Sequence, residues 1–259
     1  MSLFSLISQW LNTDMTLALI IVTTVFITSL ISGIIGMAGG MILMAVLVSL
    51  LTVPAAMVVH GAVQATANGS RAYFLREHIR WEVLPRYLVG SAFALGGFWL
   101  LAWLPPPEVV LLLIGLFPWL ALALPRDGSS PVVITRPGSQ LACGFLVTGA
   151  QLVAGASGPL LDLFYLNSTF DRHEIVATKA ITQTLGHLTK LGYYGTLYGL
   201  AAETSPLMLG AALVASIAAT RVGTLILGKV SNDNFRKGSQ FLILLLGALC
   251  IANALRVYW

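Results

Sequence analysis

Charge is scarce in this chain: Asp, Glu, Lys and Arg make up 9% of 259 residues, while 57% are hydrophobic, and the mean hydropathy is +0.88. Soluble domains carry about 25% charged residues, so a soluble globular class is excluded. No Lys or Arg precedes Arg71; the cationic stretch of a secretory signal is missing, and the first apolar segment is expected to be retained. The 14 basic residues form no tract of the kind that binds nucleic acid. The net charge of +4 therefore bears on membrane orientation, not on a nucleic-acid partner. Cysteine is almost absent: Cys143 and Cys250 lie far apart within apolar segments and match no zinc, redox or disulfide spacing, so both read as packing residues. There is no His-Glu-x-x-His, no Gly-x-Ser-x-Gly and no Walker loop, which argues against the enzyme classes those motifs build. Neither an enzyme nor a metal or organic cofactor is expected.

Apolar segments fill most of what remains. They fall at 15–35, 41–53, 55–75, 83–104 and 109–124, then at 139–153, 160–166, 174–197, 207–227 and 241–258. The longer ones reach the ~20 residues that cross a ~30 Å hydrocarbon layer. A stretch rich in Pro, Gly, Ser and Arg, 125–138, separates five segments from five. The expected fold is all-α: a polytopic transmembrane helical bundle of two repeats, 1–124 and 139–259, joined by a linker. Residues 1–12, with Phe4, Leu6 and Trp10, read as a short amphipathic piece, interfacial or frayed.

Each half breaks at small residues before a long helix, at Gly36-Met37-Ala38-Gly39-Gly40 and at Gly155-Ala156-Ser157-Gly158-Pro159. Unpaired backbone groups are tolerated at membrane depth only inside protein or beside water. Half-helix N-termini offer N–H donors and partial positive charge, and discontinuous helices in internal repeats mark transporter binding sites. Close packing of small residues is the other reading. The following helix presents His60, Gln64, Asn68 and Arg71 in the first half and Lys179, Gln183, His187 and Lys190 in the second. Both sets are spaced four, four and three, which confines each to an arc of roughly 80° on its helix. Ionisable groups at that depth face a bundle interior or a water-filled path. Gln64 and Asn68 also suit interhelical hydrogen bonding, and Arg71, close to Arg76, also suits snorkelling to the interface. Several cationic groups on one cavity require an anion, because carboxylates are few in these segments. Asp162 is one of them, a candidate for proton coupling or an interfacial carboxylate.

Short cytoplasmic loops are enriched in Lys and Arg. That rule places the loops bearing Arg76, Arg80 and Arg86, the linker with Arg126 and Arg136, and the stretch with Lys229, Arg236 and Lys237 in the cytoplasm. The turns 105–108 and 201–205 face outward. The two striped helices then run antiparallel in inverted repeats, each with a re-entrant or broken helix pair followed by three spanning helices. His60 should lie near the depth of Lys190 and Arg71 near that of Lys179, while Gln64, Asn68, Gln183 and His187 should line the middle.

The run from Ser32 to Gly40, the apolar stretch leading to Pro54, Arg71 followed by Trp81, and the weaker second copy at 155–159 resemble the TauE/SafE group of sulfite and sulfonate exporters and related anion permeases. His60-Gly61, Gln64, Asn68 and Arg71, with Ala177-Thr178-Lys179-Ala180, Gln183, Gly186-His187 and Lys190, are similar to one branch of it. The resemblance covers nearly the whole chain and implies a bacterial-type inner membrane, no cofactor and export of small sulfur-containing anions. With the residues above, the expectation is a secondary transporter working by alternating access. Lys179 and Lys190 supply charge and Gln64, Asn68 and Gln183 directional hydrogen bonds, while backbone N–H groups at Gly39, Gly40, Ser157 and Gly158 cradle the oxyanion. His60, His187 and Asp162 are candidate proton carriers. The expected partners are a small anion and the lipid bilayer; an anion channel or a carrier of a small carboxylate is the alternative.

Overall fold

Long apolar runs punctuated by Pro and Gly dictate helices, and a computed structural model describes residues 3–35, 38–101, 104–123, 132–165, 168–199, 205–227 and 232–256. Among them all regular structure is helical: α1 (Leu3–Ile35), α2 (Ala38–Leu50), α3 (Val53–Phe74), α4 (Leu84–Leu101), α5 (Pro107–Ala123), α6 (Pro137–Ala154), α7 (Gly158–Tyr165), α8 (Arg172–Tyr198), α9 (Pro206–Leu227) and α10 (Asn232–Arg256). Two single 3-10 turns, Arg76–His78 and Trp81–Val83, join α3 to α4.

Local chemistry explains the boundaries. Pro54 and Pro137 occupy first-turn positions of α3 and α6, and α5 and α9 begin at Pro107 and Pro206, where a missing N–H costs nothing. At the start of α8 the Asp171 carboxylate accepts from the Glu174 N–H at 2.9 Å, and the Glu174 carboxylate accepts from the Asp171 N–H at 2.9 Å. This reciprocal capping box begins the helix two residues before the expected position.

Residues 3–12 form no separate piece; they continue into one 33-residue helix, because no Pro or Gly falls between Leu3 and Ser32. At the far end of the linker Ile134 is fully buried, and its N–H donates to the Phe164 carbonyl at 2.7 Å. Residues 125–131 of that linker, the turn 201–204 and Lys229 lie outside the described residues.

Among the described residues, three stretches are long and apolar enough to cross a membrane: Met15–Ile34, Trp81–Leu101 and Pro206–Ile226. Leu100 and Leu207 are 90% and 85% exposed, an outward apolar surface that suits lipid rather than water. α3 packs along α8, α1 along α9, α4 along α6 and α5 along α10. Glycines set these contacts: a Cβ on Gly33 of α1 would stand 2.8 Å from the Gly223 Cα of α9, and one on Gly144 of α6 would collide with the Tyr87 carbonyl of α4. Met44, Leu47, Met57 and Tyr194 belong to the main apolar cluster, which joins α2, α3 and α8.

Candidate functional site

The described end of the first break, Gly39-Gly40, and the second break, 155–159, come together against the two polar stripes. Gly39 and Gly40 lie in the first turn of α2, while Gly36 and Met37 fall outside the described residues. A Cβ on Gly39 would collide with the Thr28 carbonyl of α1 and stand 2.5 Å from Ser32 Oγ; glycine there is a requirement of close helix approach. Gly40 faces α3, with Gln64 Oε1 3.3 Å from where its Cβ would lie. In the second half, Gly155 caps α6 with φ 73°, a left-handed conformation that favours glycine. Ser157, between α6 and α7, donates through Oγ to Gln151 Oε1 at 2.8 Å.

α3 and α8 run antiparallel. A Cβ on Gly61 would meet Leu191 and the His187 carbonyl, and one on Gly69 would meet Thr184. His60 and Lys190 are each fully buried and meet directly, with Lys190 Nζ 2.7 Å from His60 Nδ1. His60 Nε2 stands 2.8 Å from the Gly40 carbonyl. A carbonyl oxygen only accepts, so Nε2 carries the proton and Nδ1 accepts from Lys190. Lys190 also donates to the Gly155 carbonyl at 2.8 Å. A hydrogen-bonded chain therefore runs from the end of α6 through Lys190 and His60 to the first turn of α2. Among the described residues no carboxylate pairs with Lys190.

At the other end of the stripes Arg71 is 4% exposed, so snorkelling does not occur. Its Nη2 donates to the Ser32 carbonyl at 2.8 Å and its Nη1 to Asn68 Oδ1 at 3.4 Å. Asn68 Nδ2 donates to the Gln64 carbonyl at 3.0 Å and to Gln64 Oε1 at 3.3 Å. Lys179 Nζ forms an ion pair with Asp162 Oδ1 of α7.

Between these ends lies a small, partly open cavity. The first half contributes Ser32, Gly40, Met41, Gln64 and Asn68; the second contributes Ala156, Ser157, Gly158, Gln183 and His187. Gln64 Nε2 and His187 Nδ1 are buried with no hydrogen-bond partner. Buried polar atoms are almost always paired, so these two mark a place built for a ligand or for water. The His187 ring lies 5.3 Å from that of His60, linking the cavity to the Lys190 chain.

Of the candidate residues, Gly40, Gln64, Asn68, Ser157, Gly158, Gln183 and His187 line the cavity; Gly39, His60, Arg71, Lys179 and Lys190 do not. Sequence reasoning did not single out Met41 or Gln151 as site residues, nor Ser32 and Ala156 beyond the runs that contain them. Gln151 carried a signal, an amide one helical turn before a break, whereas Met41 carried none. Among the described residues no cluster of three His, Cys, Asp or Glu side chains stands ready to hold a metal.

The family model described as "Sulfite exporter TauE/SafE" matches residues 20–250, a span that includes both breaks, both stripes and the whole cavity lining. No curated protein and no solved structure matches. With most of its length covered by that one model, the chain belongs to the TauE/SafE sulfite exporter family.

Proposed function

We propose that this membrane protein is a secondary transporter that exports a small sulfur-containing oxyanion, sulfite or a sulfonate, across a bacterial-type inner membrane by alternating access. The observation that carries this reading is the cavity at the meeting of both breaks and both stripes, with unpartnered polar atoms on Gln64 and His187. Neutral amide donors and the first turns of α2 and α7 face the substrate. Arg71 and Lys190 set a positive field from just outside the cavity lining, and Lys179 stands paired with Asp162.

The two halves, 1–124 and 139–259, act as inverted repeats joined by a cytoplasmic linker at 125–138. One constant sequence offset relates His60 to Lys179, Gln64 to Gln183, Asn68 to His187 and Arg71 to Lys190. The packing supports the same reading: exchanging the halves turns the α1–α9 contact into the α6–α4 contact and leaves α3–α8 and α5–α10 unchanged. Such symmetry lets one cavity be reached from either side by rocking one half against the other. A coupled proton would be carried by His187 and His60, which link the cavity to Lys190.

Thermal unfolding of the purified protein in detergent against sulfite, small sulfonates and carboxylates tests the reading. A ligand at 100 times its Kd adds about 2.7 kcal/mol to apparent stability. Sulfite or a sulfonate should give a saturable shift that Gln64→Leu weakens about tenfold in midpoint concentration, the loss of one donor to the anion. A shift from carboxylates alone would favour the carboxylate carrier. No shift with any anion, or a shift that Gln64→Leu leaves unchanged, would refute this site.

A further inference from the structure

We propose that the Asp162 carboxylate is a built-in counter-anion of the transport site: it holds Lys179 while the cavity is empty and yields it to the incoming oxyanion. This inference rests on the anion-carrier reading and specifies how that site manages its charge.

Placement carries the argument. Asp162 stands four residues after Gly158 on α7, and Lys179 stands four residues before Gln183 on α8. Gly158 and Gln183 both line the cavity, and residues four apart share a helix face. The ion pair therefore lies one helical turn from the cavity wall on both of its helices. It is not sealed either, since the Lys179 and Asp162 side chains are 14% and 25% exposed. The other carboxylates with described side chains, Glu77, Glu82, Glu108, Asp171 and Glu174, occupy loops or helix starts. Asp162 is thus, among the described residues, the carboxylate that reaches the edge of the cavity.

The opposite end has no such pair among the described residues. The offset that carries Gln64 to Gln183 places Leu43 opposite Asp162 and His60 opposite Lys179. There Lys190 is held by neutral acceptors, His60 Nδ1 and the Gly155 carbonyl. One carboxylate breaks the pseudo-symmetry, and it does so beside a lysine at the cavity edge. An ammonium in a low-dielectric surround is costly without a countercharge, and the anion supplies one only while bound. Asp162 supplies it in the empty state, so that the unloaded protein changes conformation with Lys179 neutralised. The incoming oxyanion displaces Asp162, which turns toward the aqueous mouth, and the pair re-forms on release.

A competitor inside the protein lowers apparent affinity by the fraction of sites in which Lys179 is released from Asp162. Asp162→Asn should therefore bind sulfite more tightly, about tenfold if the pair is worth roughly the 1.4 kcal/mol of one decade. In reconstituted vesicles it should retain sulfite–sulfite exchange but lose net efflux, because exchange never requires the empty protein to reorient. Adding Lys179→Gln should abolish the gain. Asp162→Ser removes the same charge and gives the same readout should the amide variant fail to fold. Sulfite binding to wild type that Asp162→Asn leaves equal or weaker, or net efflux that falls no more than exchange, would overturn the counter-anion role alone. Absence of saturable sulfite binding to wild type would overturn the carrier reading together with it.

Discussion

Adjacent glycines at the start of α2 should respond to one added methyl group in opposite ways. At Gly39 the new Cβ collides with the Thr28 backbone carbonyl and stands 2.5 Å from Ser32 Oγ. A carbonyl within a helix cannot rotate away, so α1 and α2 must separate; overpacking of this kind costs about 1–3 kcal/mol. At Gly40 the nearest atoms are Gln64 Oε1 at 3.3 Å, Cδ at 3.5 Å and Nε2 at 3.8 Å. These belong to the far end of a flexible side chain, which needs to yield only a few tenths of an ångström. Replacing Gly by Ala within a helix returns about 1 kcal/mol, so Gly40→Ala should leave stability within about 1 kcal/mol of wild type. Its cost falls on function: the Gln64 carboxamide is pushed from its place on the cavity wall, and one lost hydrogen bond of about 1–1.5 kcal/mol weakens anion binding roughly tenfold. Thermal unfolding in detergent measures the first effect and sulfite titration of each variant the second. Gly39→Ala as stable as wild type would refute the close approach of α1 and α2. Gly40→Ala with unaltered sulfite affinity would refute the placement of Gln64 on the binding wall.

Gly155→Ala should destabilise by about 1–3 kcal/mol in the same unfolding assay. Its φ of 73° is strained for alanine, and a Cβ there would lie 2.6 Å from the Met44 sulfur. The capping box of α8 predicts a pH effect. The Asp171 carboxyl is held below its ordinary value of 3.8, chiefly by the Glu174 backbone N–H. A depressed carboxylate stabilises the fold above the unfolded value and loses that contribution as the pH falls through the folded one. Stability should therefore decline below about pH 4 in wild type, and thermal unfolding of Asp171→Ala across that range should show a shallower decline.

The ten helices of the described residues were legible in the sequence because apolar runs bounded by Pro and Gly have few other ways to satisfy their backbones in lipid. So was the shared depth of His60 and Lys190, which follows from two stripes of equal spacing on antiparallel helices; their direct contact is a finding of the structure. Less legible was the division of labour within the stripes. Lys190 read as a ligand and Arg71 as a ligand or a snorkelling residue, yet their head groups donate to the Gly155 and Ser32 carbonyls. That choice depends on which helix ends come within reach, and no spacing along the chain encodes it.

What the sequence determined by itself is the class of the protein, its succession of apolar helices, and the polar faces of α3 and α8. All of these arise from periodicity and from the scarcity of charge, which are local or compositional properties. Tertiary structure alone decided that Lys179 pairs with Asp162 on another helix, that Ser32 and Met41 complete the cavity, and that Gln64 and His187 hold buried polar atoms without partners. Those facts depend on the relative placement of α1, α2, α3, α7 and α8, which close approach at Gly39 and Gly61 helps to set. A pattern read along one helix carries no information about the distance to the next.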